Sequence, residues 1–110
     1  MPEISEVKLT AEFVTETNKN RLIEEVLFLK TNKLKLIEEI DLKGKKISAQ
    51  SRGKELKLFF DKQPVVISLG MTGCFKNFKK RGYKNKHWKH GHIRFRMSDN
   101  TWFCWSDVRR

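Results

Sequence analysis

The chain has 110 residues, of which 38% are hydrophobic and 34% are charged, a composition that fits one globular domain rather than a disordered segment. No apolar run approaches the ~20 residues that a membrane span needs, and there is no secretory signal, so we expect an intracellular protein without a membrane partner. The net charge of +11 favours a polyanion, and nucleic acid is the first candidate.

The first seven residues, MPEISEV, combine a proline and an acid at the start of the chain. Initiator methionine is usually removed before a residue as small as proline, so we expect Pro2 to carry a free secondary amine. Such an amine attacks an aldehyde-like carbon to give an iminium ion, and the neighbouring Glu3 is placed to move protons. The alternative interpretation is structural, because proline followed by acidic residues also makes a good first turn of a helix.

Helical spacing of apolar residues predicts a helix from Pro2 to about Thr17, with a stop at 18–20. The apolar stripe consists of Ile4, Val7, Ala11 and Val14, widened by Leu9 and Phe13. The next apolar segment, 22–29, suits either a helix or a buried strand, and 34–42 is compatible with a short helix.

The period then changes to two, which predicts strands separated by turns. Two of them flank a hairpin turn at Arg52-Gly53, and a break at Gln63-Pro64 precedes the third. The predicted strands are 46–51, 55–60, 65–69, 93–97 and 101–105, with a sharp loop around Met71 between Gly70 and Gly73. One helix followed by several short strands indicates a β-sandwich or barrel with an N-terminal helix.

Charge is distributed unevenly along the chain. Residues 1–41 hold six basic and nine acidic residues, a net of −3, whereas residues 42–110 hold eighteen and four, a net of +14. From Cys74 to Arg96 there are nine basic residues and no acidic one. This distribution favours DNA or RNA, although a solvated lysine-rich face has the same composition. Binding to a membrane surface is less favoured, because the basic segment is not an amphipathic helix.

Four stretches, in order, resemble the N-terminal domain of the formamidopyrimidine-DNA glycosylase / endonuclease VIII family. They are MPEISEV, SRGKELKLFF, ISLGMTGCF and KHGHIRFRMSDNTWFCWSDVRR, and the resemblance runs from Pro2 to Arg110. It implies an α+β, mainly β fold: an N-terminal helix and a two-layer antiparallel β-sandwich. The implied function is base-excision repair of damaged double-stranded DNA by a bifunctional glycosylase and AP lyase that removes oxidised bases.

The resemblance also implies catalytic roles. Pro2 resembles the amine that displaces the damaged base and forms a Schiff base, and Glu3 resembles the acid that protonates the sugar ring oxygen. Lys54 stands where the family has a hairpin lysine near the lesion and its phosphates. Considered without the resemblance, Lys54 is an ordinary turn lysine.

Six further residues match positions that contact DNA in the family. Met71 resembles the wedge that fills the base stack after the nucleotide is turned out, since an unbranched side chain suits insertion between bases. Arg109 resembles the arginine that contacts the widowed base. Arg110 resembles the phosphate-contacting neighbour of that arginine. The other three, which we assign to backbone contact or to strand scaffolding, are Lys89, His90 and His92. Without the resemblance, Met71 is a loop residue packed on the core and the final arginines are a solvated tail.

Three positions depart from the family pattern. Ser5 and Val108 stand where prolines are usual, and Ser68 stands where many members have histidine. These differences bear on phosphate contacts and lesion preference.

We expect residues 1–110 to be the catalytic N-terminal domain, and the helix–two-turn–helix and zinc-finger regions of the family to be absent from this chain. A missing C-terminal half is therefore an expected partner, and no cofactor is expected within this chain. Zinc binding here is disfavoured, because the spacing of the available ligands fits no standard finger. Those ligands are Cys74, His87, His90, His92 and Cys104.

Two other functions remain open at this stage. One is a DNA-binding module without catalysis, with the same basic sandwich. The other is a small basic barrel that stacks single-stranded RNA on Trp88, Phe75 and Phe78.

Overall fold

A computed structural model describes residues 4–28, 41–67, 73–79 and 91–107. Within these ranges the chain forms one helix and seven strands, arranged in a four-stranded and a three-stranded antiparallel sheet. In chain order the elements are α1 (Ile4–Thr17), β1 (Ile23–Phe28), β2 (Ile47–Arg52), β3 (Glu55–Phe60), β4 (Gln63–Ile67), β5 (Gly73–Phe78), β6 (Gly91–Met97) and β7 (Trp102–Asp107). The predicted fold class, a mainly β sandwich with an N-terminal helix, is confirmed.

Helix α1 is held in the molecule by one apolar face. Val7, Ala11 and Val14 follow the i, i+4, i+7 spacing of a helix face, and all three are buried in the main core. Complete burial of a valine side chain contributes about 1.5–3 kcal/mol, so this face alone favours docking of the helix. The predicted helix is therefore confirmed over the described residues, and its stop at 18–20 is confirmed as a turn.

The expectation that Leu9 and Phe13 widen the buried stripe is wrong. Leu9 is 64% exposed and Phe13 is 41% exposed. Leu9 follows Val7 by two positions, which is about 200° around a helix, so the two side chains point to opposite sides. Phe13 lies at the margin of the stripe and still meets the ring of Phe103, with 6.0 Å between centroids.

The three-stranded sheet has the order β2-β3-β4 and alternates between buried and exposed side chains. Its first hairpin confirms the two predicted strands and the turn between them. The predicted break at Gln63-Pro64 is wrong, because β4 begins at Gln63 and Pro64 pairs with Phe59. A strand accepts proline at the edge of a sheet, where its missing N–H need not enter the ladder, and β4 is an edge strand.

The four-stranded sheet has the order β1-β6-β7-β5. The ambiguous segment after α1 is strand β1, and β6 and β7 confirm the last two predicted strands. Strand β5 was missed, because a glycine and a basic run mask the alternation that places Phe75 in the core. Five consecutive residues of β7, from Trp102 to Ser106, are buried, so this strand is covered on both faces.

The main core lies between the two sheets, and aromatic rings fill much of it. Phe75 stacks on Phe103 with 5.5 Å between ring centroids, and Phe60 meets Phe95 at 5.9 Å. The opposite face of the four-stranded sheet carries a smaller apolar cluster. Its members are Trp102, Cys104, Leu27 and Phe78.

The short helix predicted over 34–42 lies almost wholly outside the described residues, although Leu42 is buried in the core. The helix that the structure describes is neither long enough nor apolar enough to cross a membrane.

Candidate active site

Lys54 is the predicted catalytic residue that falls within the described part of the chain. It lies in the turn between β2 and β3, where Arg52 pairs with Glu55 and closes the hairpin. Gly53, beside it, has a φ of +59°, a left-handed conformation that glycine adopts without steric cost. The turn therefore presents Lys54 in an exposed position at the end of the β2–β3 hairpin of the three-stranded sheet.

Helix α1 begins at the same end of the sandwich as this turn. Near its C-terminal end, Thr15 Oγ1 donates a hydrogen bond to the carbonyl of Ala49 (3.1 Å) and accepts one from the Ala49 N–H (3.0 Å). From there α1 runs antiparallel to β2, and Lys8 and Ser51 line one groove of about 420 Å³ between them. Pro2 and Glu3 lie outside the described residues, immediately before the first residue of α1.

Four strand ends lie at this end of the sandwich as well. Strand β4 finishes at Ile67, which pairs with Leu56 beside the hairpin turn. The start of β5 pairs with the end of β7 through Gly73 and Asp107, and the start of β6 pairs with β7 at Ser106. We call this region the site end: the start of α1, the Gly53–Lys54 turn, the C-terminal ends of β4 and β7, and the N-terminal ends of β5 and β6.

The remaining predicted site residues border the site end in sequence. Met71 falls between β4 and β5, and the pair Lys89 and His90 precedes β6. Arg109 and Arg110 follow β7. All five lie outside the described residues.

His92 is the second residue of β6. The register between β6 and β7 shifts between Gly91 and Ile93, so the ladder is irregular at this position. Irregularities of this kind are frequent beside active sites, where they change the direction of a strand.

The described part of the basic run lies mainly on the outer face of the four-stranded sheet. Lys76, Arg94 and Arg96 alternate with core residues along β5 and β6. Arg96 Nε forms an ion pair with Glu25 Oε2 at 3.0 Å, which neutralises part of this face.

The two cysteines are free thiols with different surroundings. Cys74 is half-buried near the start of β5, with its Sγ 3.6 Å from Ser106 Oγ. Burial raises the pKa of the Cys104 thiol to about 12, although the positive charge of Arg94 acts in the opposite direction. Among the residues that the structure describes, no three His, Cys, Asp or Glu side chains cluster as metal ligands.

Sequence reasoning missed a buried arginine at the other end of α1. Arg21 is only 7% exposed, and its guanidinium donates to the Thr17 carbonyl (3.0 Å), to Asn77 Oδ1 (2.8 Å) and to Thr101 Oγ1. Its Nε lies 3.3 Å from Asp99 Oδ1. We call Arg21 with Asn77, Asp99 and Thr101 the Arg21 cluster. The sequence did offer one signal for Arg21, because a basic residue just after a helix interacts favourably with the dipole at the C-terminal end of that helix. No neighbouring residue indicated that the arginine side chain would be buried.

The charges of this cluster support one another. Burial lowers the pKa of the Arg21 guanidinium, and the charge of Asp99 opposes that effect. Burial by itself raises the pKa of Asp99, but hydrogen bonds from Thr101 and the charge of Arg21 outweigh it, so the net pKa is lowered. Each of the two charges thus favours the charged form of the other group.

Comparison with known proteins places the chain in a family. The model of the formamidopyrimidine-DNA glycosylase N-terminal domain matches residues 1–110. The chain belongs to the formamidopyrimidine-DNA glycosylase family. The resemblance inferred from the four sequence stretches is thereby confirmed.

Curated relatives agree with this membership. A formamidopyrimidine-DNA glycosylase from Wolbachia pipientis subsp. Culex pipiens (strain wPip) is 35% identical over 115 residues, and one from Wolbachia sp. subsp. Brugia malayi (strain TRS) is 34% identical. Both alignments cover 100% of this chain and 41% of the relative. The chain thus spans about two fifths of the length of the formamidopyrimidine-DNA glycosylases that it matches.

Proposed function

We propose that this chain provides the nucleophile of a DNA base-excision repair enzyme, a glycosylase and AP lyase that acts on oxidised bases in double-stranded DNA. One observation carries the proposal. The described elements bring the start of α1 and the Lys54 turn to one end of the sandwich, next to the strand ends that border the other candidate residues. Family membership supplies the class of reaction.

The proposed reaction starts at the nitrogen of Pro2. This amine attacks C1′ of the damaged nucleotide, so that an N–C1′ bond forms while the bond from C1′ to the base breaks. The departing base takes the bonding electrons and then the proton of the amine. Glu3 protonates the ring oxygen, which opens the sugar and leaves an iminium ion after the amine loses its proton. The iminium ion is an electron sink, so loss of a C2′ proton then expels the 3′ phosphate.

Lys54 supplies positive charge close to the reacting sugar in this scheme. A cation at a hairpin tip reaches into a DNA groove while the rigid strands hold its base in place. Met71 is proposed to occupy the space left by the extruded nucleotide, and Arg109 to contact the unpaired partner base. Extrusion of a base costs a few kcal/mol, which contacts of this kind offset.

Phosphate contacts are proposed for the remaining candidates. Lys89, His90, His92 and Arg110 border the site end in sequence, and the net charge of +11 attracts the DNA backbone. A C-terminal half, corresponding to the rest of the longer relatives, is proposed to complete the DNA clamp.

Borohydride trapping on an abasic-site duplex tests the proposal. Borohydride reduces the iminium ion to a stable amine, so the chain with a free Pro2 is expected to form a covalent DNA complex that survives denaturation. A chain that retains an N-terminal extension serves as the matched control. It is expected to fold and to bind the same duplex, but not to be trapped, because its proline nitrogen is an amide.

Two results would contradict the proposal. Equal trapping of the extended chain would show that an internal lysine, such as Lys54, is the nucleophile. Duplex binding without any trapping of the free-proline chain would instead identify a DNA-binding module without catalysis.

A further inference from the structure

Helix α1 is fixed to the two sheets most firmly through its second half. Thr15 exchanges two hydrogen bonds with Ala49 of β2, and Arg21 joins the helix end to β5 and to the turn between β6 and β7. The first half packs on the core through Val7, and such an apolar contact has no preferred direction. The orientation of α1 is therefore set mainly at the end that lies far from the candidate active site.

The Arg21 cluster is suited to setting this orientation. One guanidinium contacts three separate elements, namely the last turn of α1, Asn77 of β5 and Thr101 after the β6–β7 turn. Asn18, which is fully buried, closes the end of the helix itself by donating from Nδ2 to the Val14 carbonyl (2.9 Å). The planar fork of arginine makes several contacts of fixed direction at once, which the single ammonium of lysine does not reproduce.

The length of the helix magnifies any error at this junction. Fourteen residues at 1.5 Å each separate the ends of α1 by about 20 Å. A tilt of about 5° about the Arg21 end therefore displaces the first turn by nearly 2 Å. A misplacement of about 1 Å at a reacting centre is enough to lower a rate by about 100-fold.

Space beside the helix permits such a tilt. Grooves of about 420 Å³ and 500 Å³ flank α1, towards β2 and β5 respectively. In the first half of the helix, Leu9 is exposed, so its side chain adds little steric restraint there.

From these observations we infer that Arg21 is a positioning residue for the N-terminal amine: through the Arg21 cluster it fixes the tilt of α1 and thereby the place of Pro2. This inference rests on the proposed function for its catalytic consequence. It assigns a role in the reaction to a side chain that touches neither DNA nor the reacting atoms.

The test compares the wild-type chain with Arg21→Lys, which keeps the charge but loses the fork. Residual dipolar couplings of the backbone amides report the tilt of α1 relative to β2 and β3. We expect a reorientation of about 5° or more in Arg21→Lys, and a rate constant of borohydride trapping at saturating duplex that is lower by about 100-fold. The dissociation constant for the duplex is expected to change by less than about twofold.

A matched control separates positioning from loss of stability. Val65→Ala removes buried apolar contact from β4, which pairs with β3, whereas α1 packs chiefly along β2. Each variant is assayed at the same interval below its own Tm. Val65→Ala is expected to leave both the tilt of α1 and the trapping rate constant unchanged.

Each possible outcome decides the inference. Unchanged couplings in Arg21→Lys, or changed couplings with an unchanged trapping rate, would overturn it and leave Arg21 a purely structural residue. Absence of trapping in the wild-type chain would overturn the proposed function instead, and the couplings alone would then decide whether Arg21 sets the tilt.

Discussion

The two ends of the sandwich are built from different kinds of interaction. At the end of α1 that holds the Arg21 cluster, the buried guanidinium donates directional hydrogen bonds to Thr17 and Asn77 and forms an ion pair with Asp99. At the site end, the Gly53–Lys54 turn and its flanking residues Arg52 and Glu55 are exposed to solvent.

This difference separates two requirements on the same fold. A network of buried polar groups fixes geometry because each group loses free energy when its partner is missing. Exposed charges at turns contribute little to stability, so they remain free to meet a ligand. The comparison indicates that one end of the sandwich sets its geometry while the other keeps its charges exposed, as the proposed contact with DNA requires. Matched variants at the two ends test that division.

The largest expected contrast is between the reaction rates of the two cysteine thiols with a thiol reagent. Cys74 lies near the site end, whereas Cys104 is fully buried further along the sheet, with a pKa of about 12. At pH 8 only about one Cys104 thiol in ten thousand is then ionised, and the thiolate is the reactive form. Titration with a thiol reagent should modify Cys74 about 1,000-fold faster than Cys104.

Single substitutions assign the two reactions. Cys74→Ser should remove the fast phase of modification, and addition of denaturant should make Cys104 accessible and accelerate the slow phase. Similar rates for both thiols in the folded protein would contradict the burial of Cys104.

The raised pKa of Cys104 also predicts a pH dependence of the free energy of unfolding. The stabilising effect of the neutral Cys104 thiol is present below pH 9 and is lost as the pH rises towards 12.

The next contrast concerns two turn lysines on the same sheet. Lys54 occupies the β2–β3 turn at the site end, and Lys62 occupies the β3–β4 turn at the opposite end. Both are exposed, so Lys54→Ala and Lys62→Ala remove the same charge from equivalent hairpins. Lys54→Ala should lower the excision rate by about 100-fold, which is the usual effect of removing a group that transfers a proton or stabilises charge in the reaction. Lys62→Ala should change the excision rate by less than twofold.

Duplex affinity provides the second measurement for this pair. A loss of one cation should weaken binding only slightly in both variants, since each removes at most one phosphate contact. If Lys54→Ala reduces affinity and excision rate by the same factor, Lys54 is a phosphate contact and not part of the reacting site.

Local patterns were sufficient to predict most of the fold. Alternating apolar residues on either side of Arg52-Gly53 predicted the first hairpin, and Val7, Ala11 and Val14 predicted the buried face of α1. Pro64 misled the prediction, because the rule that proline interrupts strands depends on whether the strand is at an edge, and that is a property of the whole sheet.

The Arg21 cluster was beyond the reach of local patterns for a related reason. Asn77 and Thr101 lie 56 and 80 residues further along the chain, so the contacts exist only after the sheet has formed. The chemistry of the candidate site was predicted from motifs such as MPEISEV, and the fold adds that the elements bordering those motifs meet at one end. Leu9 is likewise exposed because its side of the helix faces away from the core, although its side chain is hydrophobic.

The smallest contrast compares two glycines with left-handed backbones. Gly53 (φ +59°) is in the Lys54 turn, and Gly44 (φ +81°) donates its N–H to the carbonyl of Ile23 at the opposite end. No atom lies within 4 Å of a Cβ added at either position, so substitution by alanine costs only backbone strain. That strain is about 1 kcal/mol at each site, and thermal unfolding should show similar losses for Gly53→Ala and Gly44→Ala.

Activity should distinguish these two equally destabilised variants. If the β2–β3 turn relieves its strain by adopting another conformation, 1 kcal/mol lowers the fraction of turns that present Lys54 correctly by up to about fivefold. Gly53→Ala should therefore lower the excision rate by about that factor, and Gly44→Ala should leave it unchanged. Gly53→Asn should restore most of the rate, because asparagine tolerates the left-handed region better than alanine. An equal loss of rate in Gly44→Ala would show that the two ends do not act separately, and that general stability controls the reaction.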